Sequence, residues 1–550
     1  MYLREFSIGN FKAFGPTQTL PLKPLTLIYG PNSGGKSSLI HGLLYASEVQ
    51  RFHAPLDFRS RSLDVHQTEL GGDAVDLGGF GQFVFRRDIG RQVTVGFGLD
   101  RSAFPEDGDL PPISGDTSVE VEIGPPLVEA KLGEELRASG PPLVRAYRIG
   151  HAGNPLVTFG LQGGSLRLSQ LAISSPVMAE LAQYLTAELT ETGMMPNGVL
   201  DKQMFELMGT PGFFAYGDSL LPRGVTSCER PIMDAYTSKP VGIESGDDQS
   251  EPWVVIRDFL NVLLLKYHAA ITNELSTLDY LGPLRSYPPR RITDLEHREP
   301  GPCAQGASDW QLLISDEKTR DTVNKWLGTR MLTTPYELRV RQYYNGEQLL
   351  AHIAEEETQA SLHEPEQGAG PGRDIDENTP VHTSESVRSA MDKTSPIREL
   401  ILVDRRTDTE VTHRDIGIGV SQVLPVLVAA YAGWGITAIE QPEIHLHPAL
   451  QAELGDVFIE SAAKQGNTFI LETHSEHLLL RILRRIRETT EGKLPEGAAP
   501  ITTEDVQVVY VEPTKSGSRV LPMELDEDGQ LVTPWPGGFF EEGFRERFGA

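Results

Sequence analysis

Residues 25–40 read LTLIYGPNSGGKSSLI, in which an apolar segment runs into a glycine-rich loop and the loop runs into a second apolar segment. The loop GPNSGGKS, residues 30–37, fits G-x-x-x-x-G-K-[ST] at every fixed position. In such a loop, backbone N–H groups and a helix N-terminus surround phosphates, the lysine reaches the β- and γ-phosphates, and the serine hydroxyl binds Mg²⁺. A plain strand-to-helix turn is the alternative, but strand, loop and helix together favour phosphate binding. The predicted binding positions are Gly30, Asn32, Ser33, Gly34, Gly35, Lys36, Ser37 and Ser38.

The composition limits the class of protein. The 550 residues carry a formal net charge of −28, so nucleic acid is repelled on average and could bind only at a local basic patch or through a partner. No apolar run is long enough to span a bilayer, which predicts no membrane partner. The two cysteines have neither disulfide nor metal spacing. We expect a cytoplasmic protein.

The hydrophobic pattern changes along the chain. Short alternating runs between residues 91 and 170 predict an antiparallel meander, and residues 176–212 and 252–278 have helical spacing. Residues 217–251 look loop-rich. From residue 398 onward, apolar strands alternate with helices, which predicts a parallel sheet covered on both faces and an α/β fold. The predicted organisation is 1–100, N-terminal part of the α/β unit that carries the glycine-rich loop; 101–175, antiparallel β lobe; 176–354, helical insertion with return strands; 355–396, disordered acidic segment; 397–512, C-terminal part of the same α/β unit; and 513–550, tail.

Two later strands carry polar groups at their ends. GITAIEQPEIHLHP, residues 435–448, places Glu440, Gln441 and Glu443 after an apolar strand, where an acidic residue can support the Mg²⁺ shell of a phosphate loop. NTFILETHSEHLL, residues 467–479, ends a second strand at His474, which could hydrogen-bond a γ-phosphate. RDIGIGVSQVLPVL, residues 414–427, opens a helix with glycines. Each piece alone is weak, and their order along the chain is the stronger signal.

Taken together, GPNSGGKSSL, IEQPEIHLHP and ETHSEHLLLRILRRIRE resemble the ABC-type ATPase heads of the SMC, RecF and OLD group. They look most like stand-alone prokaryotic AAA-family ATPases, several of which serve in phage-defence systems, such as Septu-type ones, beside a nuclease or other effector. The resemblance covers roughly residues 1–100 and 398–512. LGPLRSYPPRR (281–291) and WPGGFFEE (535–542) also look similar to segments of these ATPases, but the sequence assigns them no chemistry.

The resemblance implies a mechanism and a set of roles. Two heads pair head to tail, as a homodimer or higher homo-oligomer, and enclose ATP and Mg²⁺ between the P-loop of one and the signature of the other. Engagement of the heads would control a partner effector, a nuclease or toxin. Lys36 and Ser37 would hold phosphate and Mg²⁺, Glu440 would be the Walker B acid and His474 the switch histidine. Signature and Q-loop positions would be Gly417, Gly419, Ser421 and Gln82, although a strand residue is the simpler reading of Gln82.

Two positions depart from the group. The signature GIGVSQ is a variant of Leu-Ser-Gly-Gly-Gln, and Gln441 stands where the catalytic glutamate is expected. A carboxylate can orient water and accept its proton, whereas an amide can only orient it, and general-base help is worth roughly 10²–10⁴ in rate. Either Glu443 replaces that base, or hydrolysis is slow and ATP acts mainly as a clamp. The second case would make the protein a non-hydrolysing ATP-dependent scaffold.

Basic residues leave one further alternative. The segment RILRRIRE places Arg481, Arg484 and Arg485 on one helix, the best candidate surface for DNA or an acidic partner. Arginines near a helix C-terminus can instead simply complement the helix dipole. A DNA-repair ATPase that acts directly on DNA is therefore the rival to a nucleotide-gated regulator of an effector.

Overall fold

The computed structural model of the chain describes residues 3–50, 63–68, 75–100, 117–129, 136–162, 164–172, 175–178, 212–216, 220–233, 240–245, 252–285, 292–293, 307–330, 334–363, 384–412 and 417–540. Within these ranges, none of the helices is both long enough and apolar enough to cross a bilayer. The chain divides into two compact units. The first comprises Met1–Arg285, Pro302–Gln305 and Ala429–Ala550, and the second Ser286–Gly301 and Gly306–Val428.

The described strands are β1 (Leu3–Gly9), β2 (Gln18–Pro21), β3 (Leu25–Tyr29), β4 (Val93–Leu99), β5 (Thr117–Gly124), β6 (Leu127–Glu129), β7 (Leu136–Ala138), β8 (Leu143–His151), β9 (Asn154–Gln162), β10 (Ser165–Leu171), β11 (Gly212–Tyr216), β12 (Gly224–Met233), β13 (Pro240–Ser245), β14 (Asp279–Leu281), β15 (Ile292–Thr293), β16 (Tyr336–Tyr343), β17 (Ile397–Asp404), β18 (Thr409–Val411), β19 (Ile436–Glu440), β20 (Thr468–Glu472), β21 (Val506–Glu512) and β22 (Arg519–Met523). The described helices are α1 (Lys36–Gln50), α2 (Phe80–Phe83), α3 (Pro252–Ser276), α4 (Ala307–Ser315), α5 (Glu317–Lys325), α6 (Gly346–His363), α7 (Ser384–Lys393), α8 (Ile418–Ala432), α9 (Pro448–Gln465) and α10 (Glu476–Thr490).

A six-stranded sheet forms the centre of the first unit, in the order β14-β19-β20-β3-β21-β22. All its neighbours pair in parallel except β22, which is antiparallel to β21. Strands β3, β19 and β20 are buried at every position, as their continuous apolar sequences predict. Because β20 lies between β3 and β19, the loops after all three strands emerge side by side. The predicted parallel sheet of an α/β ATPase head is confirmed.

A second, ten-stranded sheet in the first unit has the order β13-β12-β11-β10-β9-β8-β5-β4-β1-β2. Its strands pair antiparallel, which confirms the meander predicted for residues 91–170. The prediction that residues 217–251 are loop-rich is wrong over β12 and β13, which extend this sheet. Pairing to neighbouring strands decides the structure there, because proline and glycine are tolerated where β13 forms the sheet edge. Most of the helix predicted over 176–212 lies outside the described residues.

The second unit contains the small sheet β15-β17-β16, with β18 paired to β17, and helices α4 to α7. The prediction that residues 355–396 are disordered is wrong at both ends of that segment, where α6 and α7 lie, whereas residues 364–383 lie outside the described residues. The two helices pack against each other, bury Ile353 and Ala390, and are joined by a 2.9 Å hydrogen bond between His352 Nδ1 and Thr394 Oγ1. Averaged composition hides such a small apolar contact between two good helix-forming segments.

Candidate functional site

The glycine-rich loop adopts a conformation that its sequence permits and few others would. It follows the buried strand β3, and α1 begins at Lys36. Gly30 and Gly35 have φ values of 147° and 99°. A Cβ on Gly35 would lie 2.6 Å from Ala13 Cβ, so glycine is required by space as well as by dihedral angle. The Ser518 hydroxyl donates to the Gly34 carbonyl at 2.6 Å, which fixes the loop against β22.

Lys36 is buried inside this loop. Its Nζ donates to the carbonyl oxygens of Gly30 and Pro31 at 3.1 and 3.0 Å and lies 3.8 Å from Glu472 Oε1. Burial lowers the pKa of Lys36, and the carboxylates of Glu472, Glu440 and Glu443 oppose that shift. The ammonium group is therefore held at the loop by weak carbonyl contacts, which phosphate oxygens can replace with stronger charge-assisted hydrogen bonds.

Glu440 ends β19 and is buried beside α1. Its Oε1 accepts a 2.9 Å hydrogen bond from the Tyr280 hydroxyl and lies 3.4 Å from His41 Nε2. Burial, followed by the charge of Glu440, raises the pKa of Tyr280, so this phenol stays protonated and donates. The P-loop helix and the acidic strand, about 400 residues apart in sequence, thus meet through these side chains.

Two residues near 281–291 acquire a role that the sequence did not reveal. Tyr280 lies on β14, which pairs in parallel with β19. Arg285, at the end of the LGPLR stretch, is buried and donates to the carbonyl oxygens of Glu440 and Gln441 at 3.1 and 3.0 Å. The motif was the available signal, but only the pairing of β14 shows that it supports the acidic strand.

Gln441 follows in a left-handed backbone conformation, with a φ of 48°. Its N–H donates to the Glu472 carbonyl at 2.7 Å, which extends the register of β19 and β20 by one residue. A non-glycine residue in this region is uncommon and is often found at functional sites. The turn that follows therefore leaves the strand sharply and carries Glu443 back toward β20.

Glu443 connects the acidic loop to the histidine loop. The carboxylate is buried, and its Oε1 accepts the backbone N–H of His474 at 2.7 Å. Burial raises the pKa of Glu443, and hydrogen bonds from the His474 and Glu443 backbone N–H groups and from the Thr473 side chain counteract the rise. One oxygen is thus used to hold the loop, so the structure gives this carboxylate a structural function beside its predicted catalytic one.

His474 lies directly after β20, in the loop that the Ser475 hydroxyl terminates by capping α10 at Leu478 N–H. Burial and the nearby charge of Lys36 both lower the pKa of His474, so its imidazole is neutral at pH 7. A neutral ring has one nitrogen that donates and one that accepts. The structure therefore brings Lys36, Glu440, Glu443 and His474 into one site, as the sequence predicts.

Aromatic residues of the segment WPGGFFEE pack beside this site. Trp535 and Phe540 contact the ring of Tyr29 at 5.3 and 5.6 Å, and Phe539 lies 6.4 Å from the His474 ring. The Tyr29 hydroxyl donates to the Ser475 carbonyl at 3.0 Å. The segment that the sequence left without chemistry thus covers the end of the P-loop strand and the histidine loop.

Glu472 is a site residue that the sequence analysis missed. It ends β20, between β3 and β19, and its Oε1 lies 3.8 Å from Lys36 Nζ. Its Oε2 is buried and has no hydrogen-bond partner among the described residues. Burial, together with the charge of Glu440, raises the pKa of Glu472 to about 7, against the opposing effects of Ser37 and Lys36. The sequence signal that could have identified Glu472 is that it is the only acidic residue of the apolar strand β20.

Lys12 is the second missed residue. Its Nζ makes a 2.7 Å hydrogen bond with His41 Nδ1, and His41 in turn faces Glu440. Burial lowers the pKa of Lys12 to about 8, although Glu440 and Asp76 oppose the shift. Lys12 therefore completes a chain of polar contacts from the N-terminal strand-loop to the acidic strand.

Four further predicted binding residues belong to α2, or to α8 and the residue before it. Gln82 is exposed on α2. Gly417 is exposed at the start of α8, and Gly419 and Ser421 follow in that helix, where Ser421 is buried. These last three belong to the second unit. Their role opposite the phosphates of another head stays a prediction.

The three arginines predicted as a DNA surface form ion pairs within the chain. Arg481 and Arg485 both pair with Asp456 at 2.7 Å, and Arg484 pairs with Glu488 at 2.6 Å. Hydrogen bonds to these carboxylates raise the pKa of Arg485. Arg481 and Arg485 thus join α10 to α9, whereas Arg484 pairs within α10. Each of the three arginine charges is compensated by a carboxylate.

Two family models match parts of the chain. The family described as "AAA domain, putative AbiEii toxin, Type IV TA system" matches residues 288–481, and "Protein of unknown function (DUF3696)" matches residues 501–546. The "Chromosome partition protein Smc" of a Synechococcus strain is 43% identical over 47 residues, which is 8% of this chain and 4% of that relative. The chain therefore matches only a small part of that relative's length.

Solved structures with some overall likeness include the SMC head domain from Thermotoga maritima (TM-score 0.32, 9% identity, covering 96% of this chain and 100% of that chain). They also include a "SmcHead bound to the C-winged helix domain of ScpA" (TM-score 0.35, 10% identity, 96% and 99%) and an Smc head derived from Pyrococcus furiosus (TM-score 0.34, 10% identity, 95% and 96%).

The glycine-rich loop after β3 and the acidic strand β19 of the same parallel sheet are the elements of a P-loop nucleotide-binding site. Residues 288–481 match the AAA domain family named above.

Proposed function

We propose that this protein binds Mg²⁺–ATP at the site around Lys36, hydrolyses it slowly, and acts as a nucleotide-gated switch for a partner effector. The observation that supports this most is the convergence of the P-loop lysine with three buried carboxylates and a neutral histidine. A lysine and backbone N–H groups suit the triphosphate, while carboxylates suit its metal.

The residues present fit Mg²⁺. Ser37 supplies a hydroxyl, Glu440 and Glu472 supply carboxylates, and one buried oxygen of Glu472 has no protein partner in the described chain. Hard oxygen donors of this kind are the ligands that Mg²⁺ prefers, usually with waters and substrate phosphates completing the shell. When bound, the ion would neutralise charge on the phosphates, and we assign His474 as a hydrogen-bond partner of the terminal phosphate.

Slow hydrolysis follows from the residues beside that shell. Gln441 can orient water but cannot accept its proton, and Glu443 already accepts the His474 N–H. Single-turnover release of γ-phosphate by the wild type, Glu443→Gln and Lys36→Ala variants tests the assignment. Loss of activity in both variants supports Glu443 as the base. An unchanged rate in Glu443→Gln excludes that role, and an unchanged rate in Lys36→Ala excludes the site.

The proposed switch requires that two copies of the chain associate only when Mg²⁺–ATP is bound. In related ATPases the two heads enclose ATP between them, and Gly419 and Ser421 are this chain's candidates for the opposing contact. Sedimentation of the Glu443→Gln variant with and without Mg²⁺–ATP tests this proposal, with Lys36→Ala as the control. ATP-induced association only in the chain with an intact P-loop is expected, and no change with nucleotide in either would contradict the head-pairing proposal.

An effector would be a nuclease or toxin, and the setting would be anti-phage defence. The support is the resemblance of the motifs to defence ATPases. Co-expression with the product of an adjacent nuclease or toxin gene, followed by co-purification with and without ATP, tests it. Release or capture of the effector on ATP binding supports the switch. Indifference to ATP would contradict it.

A DNA-repair ATPase acting directly on DNA shares the same nucleotide site. Because Arg481, Arg484 and Arg485 are compensated by carboxylates, that function would need another basic surface. Salt-dependent DNA binding by the purified chain would favour it.

A further inference from the structure

Glu472 occupies the centre of the site. It is the last residue of β20, so it has the P-loop strand β3 on one side and the acidic strand β19 on the other, directly opposite Ile28 and Glu440. The residue is 5% exposed. Lys36 Nζ lies 3.8 Å from its Oε1, and the neighbouring Ser37 side chain acts to lower the pKa of this carboxyl group.

The second oxygen of the Glu472 carboxylate is unsatisfied. Glu472 Oε2 is buried and has no hydrogen-bond partner among the described residues, as is also true of Glu443 Oε2. Glu443 differs because its other oxygen accepts the His474 N–H. Burying a carboxylate oxygen without a partner costs free energy, and such atoms are rare unless another group satisfies them. The oxygen belongs to the same side chain that contacts Ser37, the P-loop hydroxyl that binds Mg²⁺ in this class of site.

Anchoring Lys36 does not explain Glu472. The Lys36 ammonium group bonds to the carbonyls of Gly30 and Pro31, so the loop already holds this lysine. The 3.8 Å between Lys36 Nζ and Glu472 Oε1 exceeds a hydrogen bond.

Glu440 and Glu472 differ in the number of protein groups that already contact their carboxylate oxygens. Glu440 Oε1 accepts from Tyr280 and faces His41, which hold it in place from the side of α1 and β14. Glu472 presents an oxygen with no such partner in the described residues. Glu472, which has the unpartnered oxygen, is therefore the better direct metal ligand. Glu440, held by Tyr280 and His41, would act on the metal through its bound waters.

We propose that Glu472 is a direct ligand of the Mg²⁺ that accompanies ATP, beside Ser37, so that carboxylates from two adjacent strands share the metal shell. This inference rests on the proposed ATP site and assigns its metal. A metal ligand at this position should affect metal-free and metal-bound nucleotide in opposite directions, which a purely structural residue would not do. Without a metal, Glu472 repels the triphosphate; with a metal, it attracts the complex.

The test uses the full chain and Mn²⁺ in place of Mg²⁺. Free Mn²⁺ is measured by electron paramagnetic resonance during titration of protein saturated with the non-hydrolysable analogue AMP-PNP. The variants are Glu472→Gln and, as a matched control, Glu460→Gln, which changes another buried glutamate on α9 that pairs with Lys464. In parallel, ATP affinity is measured with Mg²⁺ and with EDTA.

We expect Glu472→Gln to weaken Mn²⁺ binding at least about tenfold, in line with the effect of altering groups around a metal. The same variant should bind metal-free ATP more tightly than the wild type, because one negative charge is gone. Glu472→Asp, which keeps the charge on a shorter side chain, should retain part of the Mn²⁺ affinity. Glu460→Gln should change neither quantity more than about twofold.

Three outcomes would overturn the assignment: Mn²⁺ affinity unchanged in Glu472→Gln, equal loss of metal-bound and metal-free nucleotide binding, or equal weakening in Glu460→Gln. Failure of the ATP site itself is separate, because the wild type would then bind no nucleotide even with Mg²⁺.

Discussion

Replacing Tyr280 by phenylalanine removes one hydroxyl from the buried face of the acidic strand. That hydroxyl donates to Glu440 Oε1 at 2.9 Å, and both side chains are buried. A hydrogen bond to a charged group contributes about 1.5–3 kcal/mol to stability, compared with about 0.5–1.5 kcal/mol for a neutral one. We therefore expect Tyr280→Phe to lower the free energy of unfolding by about 2 kcal/mol.

Tyr45→Phe is the matched control. The Tyr45 hydroxyl is also buried, but it donates to a neutral acceptor, the carbonyl of Leu63, at 3.0 Å. Urea unfolding followed by tryptophan fluorescence, in metal-free buffer, compares the two variants with the wild type. A loss in Tyr280→Phe that equals or falls below the loss in Tyr45→Phe would refute the claim that the Tyr280 hydroxyl holds the Glu440 carboxylate more strongly than a neutral acceptor is held.

Three further predictions follow from other parts of the structure. Gly35→Ala should abolish nucleotide binding in a dialysis assay while the chain still folds, because the new Cβ would lie 2.6 Å from Ala13 Cβ. The control is Gly466→Ala, where φ is also positive (72°) but no atom lies within 4 Å of the new Cβ, and this variant should bind nucleotide normally. Nucleotide binding by both variants would disprove the steric argument. Arg485→Ala should cost about 2–4 kcal/mol by chemical denaturation because it breaks a buried pair with Asp456, whereas Arg484→Ala should cost less than about 1 kcal/mol, and equal losses would contradict the pairing. Burial lowers the pKa of Lys12 to about 8 in the folded protein. Between about pH 8 and the ordinary lysine pKa, the unfolded chain therefore binds more protons at this residue than the folded chain does. The free energy of unfolding consequently rises with pH across this range. Lys12→Met should remove that rise in unfolding measured from pH 8 to 10, Lys23→Met should keep it, and an identical slope in all three proteins would exclude Lys12.

Much of the nucleotide site was predictable because its motifs each follow a strand. The apolar runs 25–29, 436–440 and 468–472 predict parallel strands, and parallel strands end at one edge of a sheet. That rule alone brings Lys36, Glu440 and His474 together. The structure adds which strand is central, and this order places Glu472 rather than Glu440 next to the P-loop strand.

The residues that were missed depend on pairing between distant segments. Tyr280 and Arg285 reach the site only because the three-residue strand β14 pairs with β19, and a strand of that length has no periodicity to recognise. The same applies to β12 and β13, whose glycines and prolines resemble a loop in sequence. The ion pairs of Arg481 and Arg485 could not be predicted by spacing, because their partners, Glu453 and Asp456, lie on the preceding helix.

Calorimetric titration of ATP in the presence of Mg²⁺ into the wild type and Lys36→Ala tests the central claim most directly. The Lys36→Ala variant loses the hydrogen bonds from the charged lysine to the phosphates. That loss should weaken ATP binding by about 1.5–3 kcal/mol, or roughly 10- to 100-fold in affinity. The account predicts saturable binding by the wild type and at least tenfold weaker binding by the variant. No binding to the wild type, or equal affinities, would contradict it.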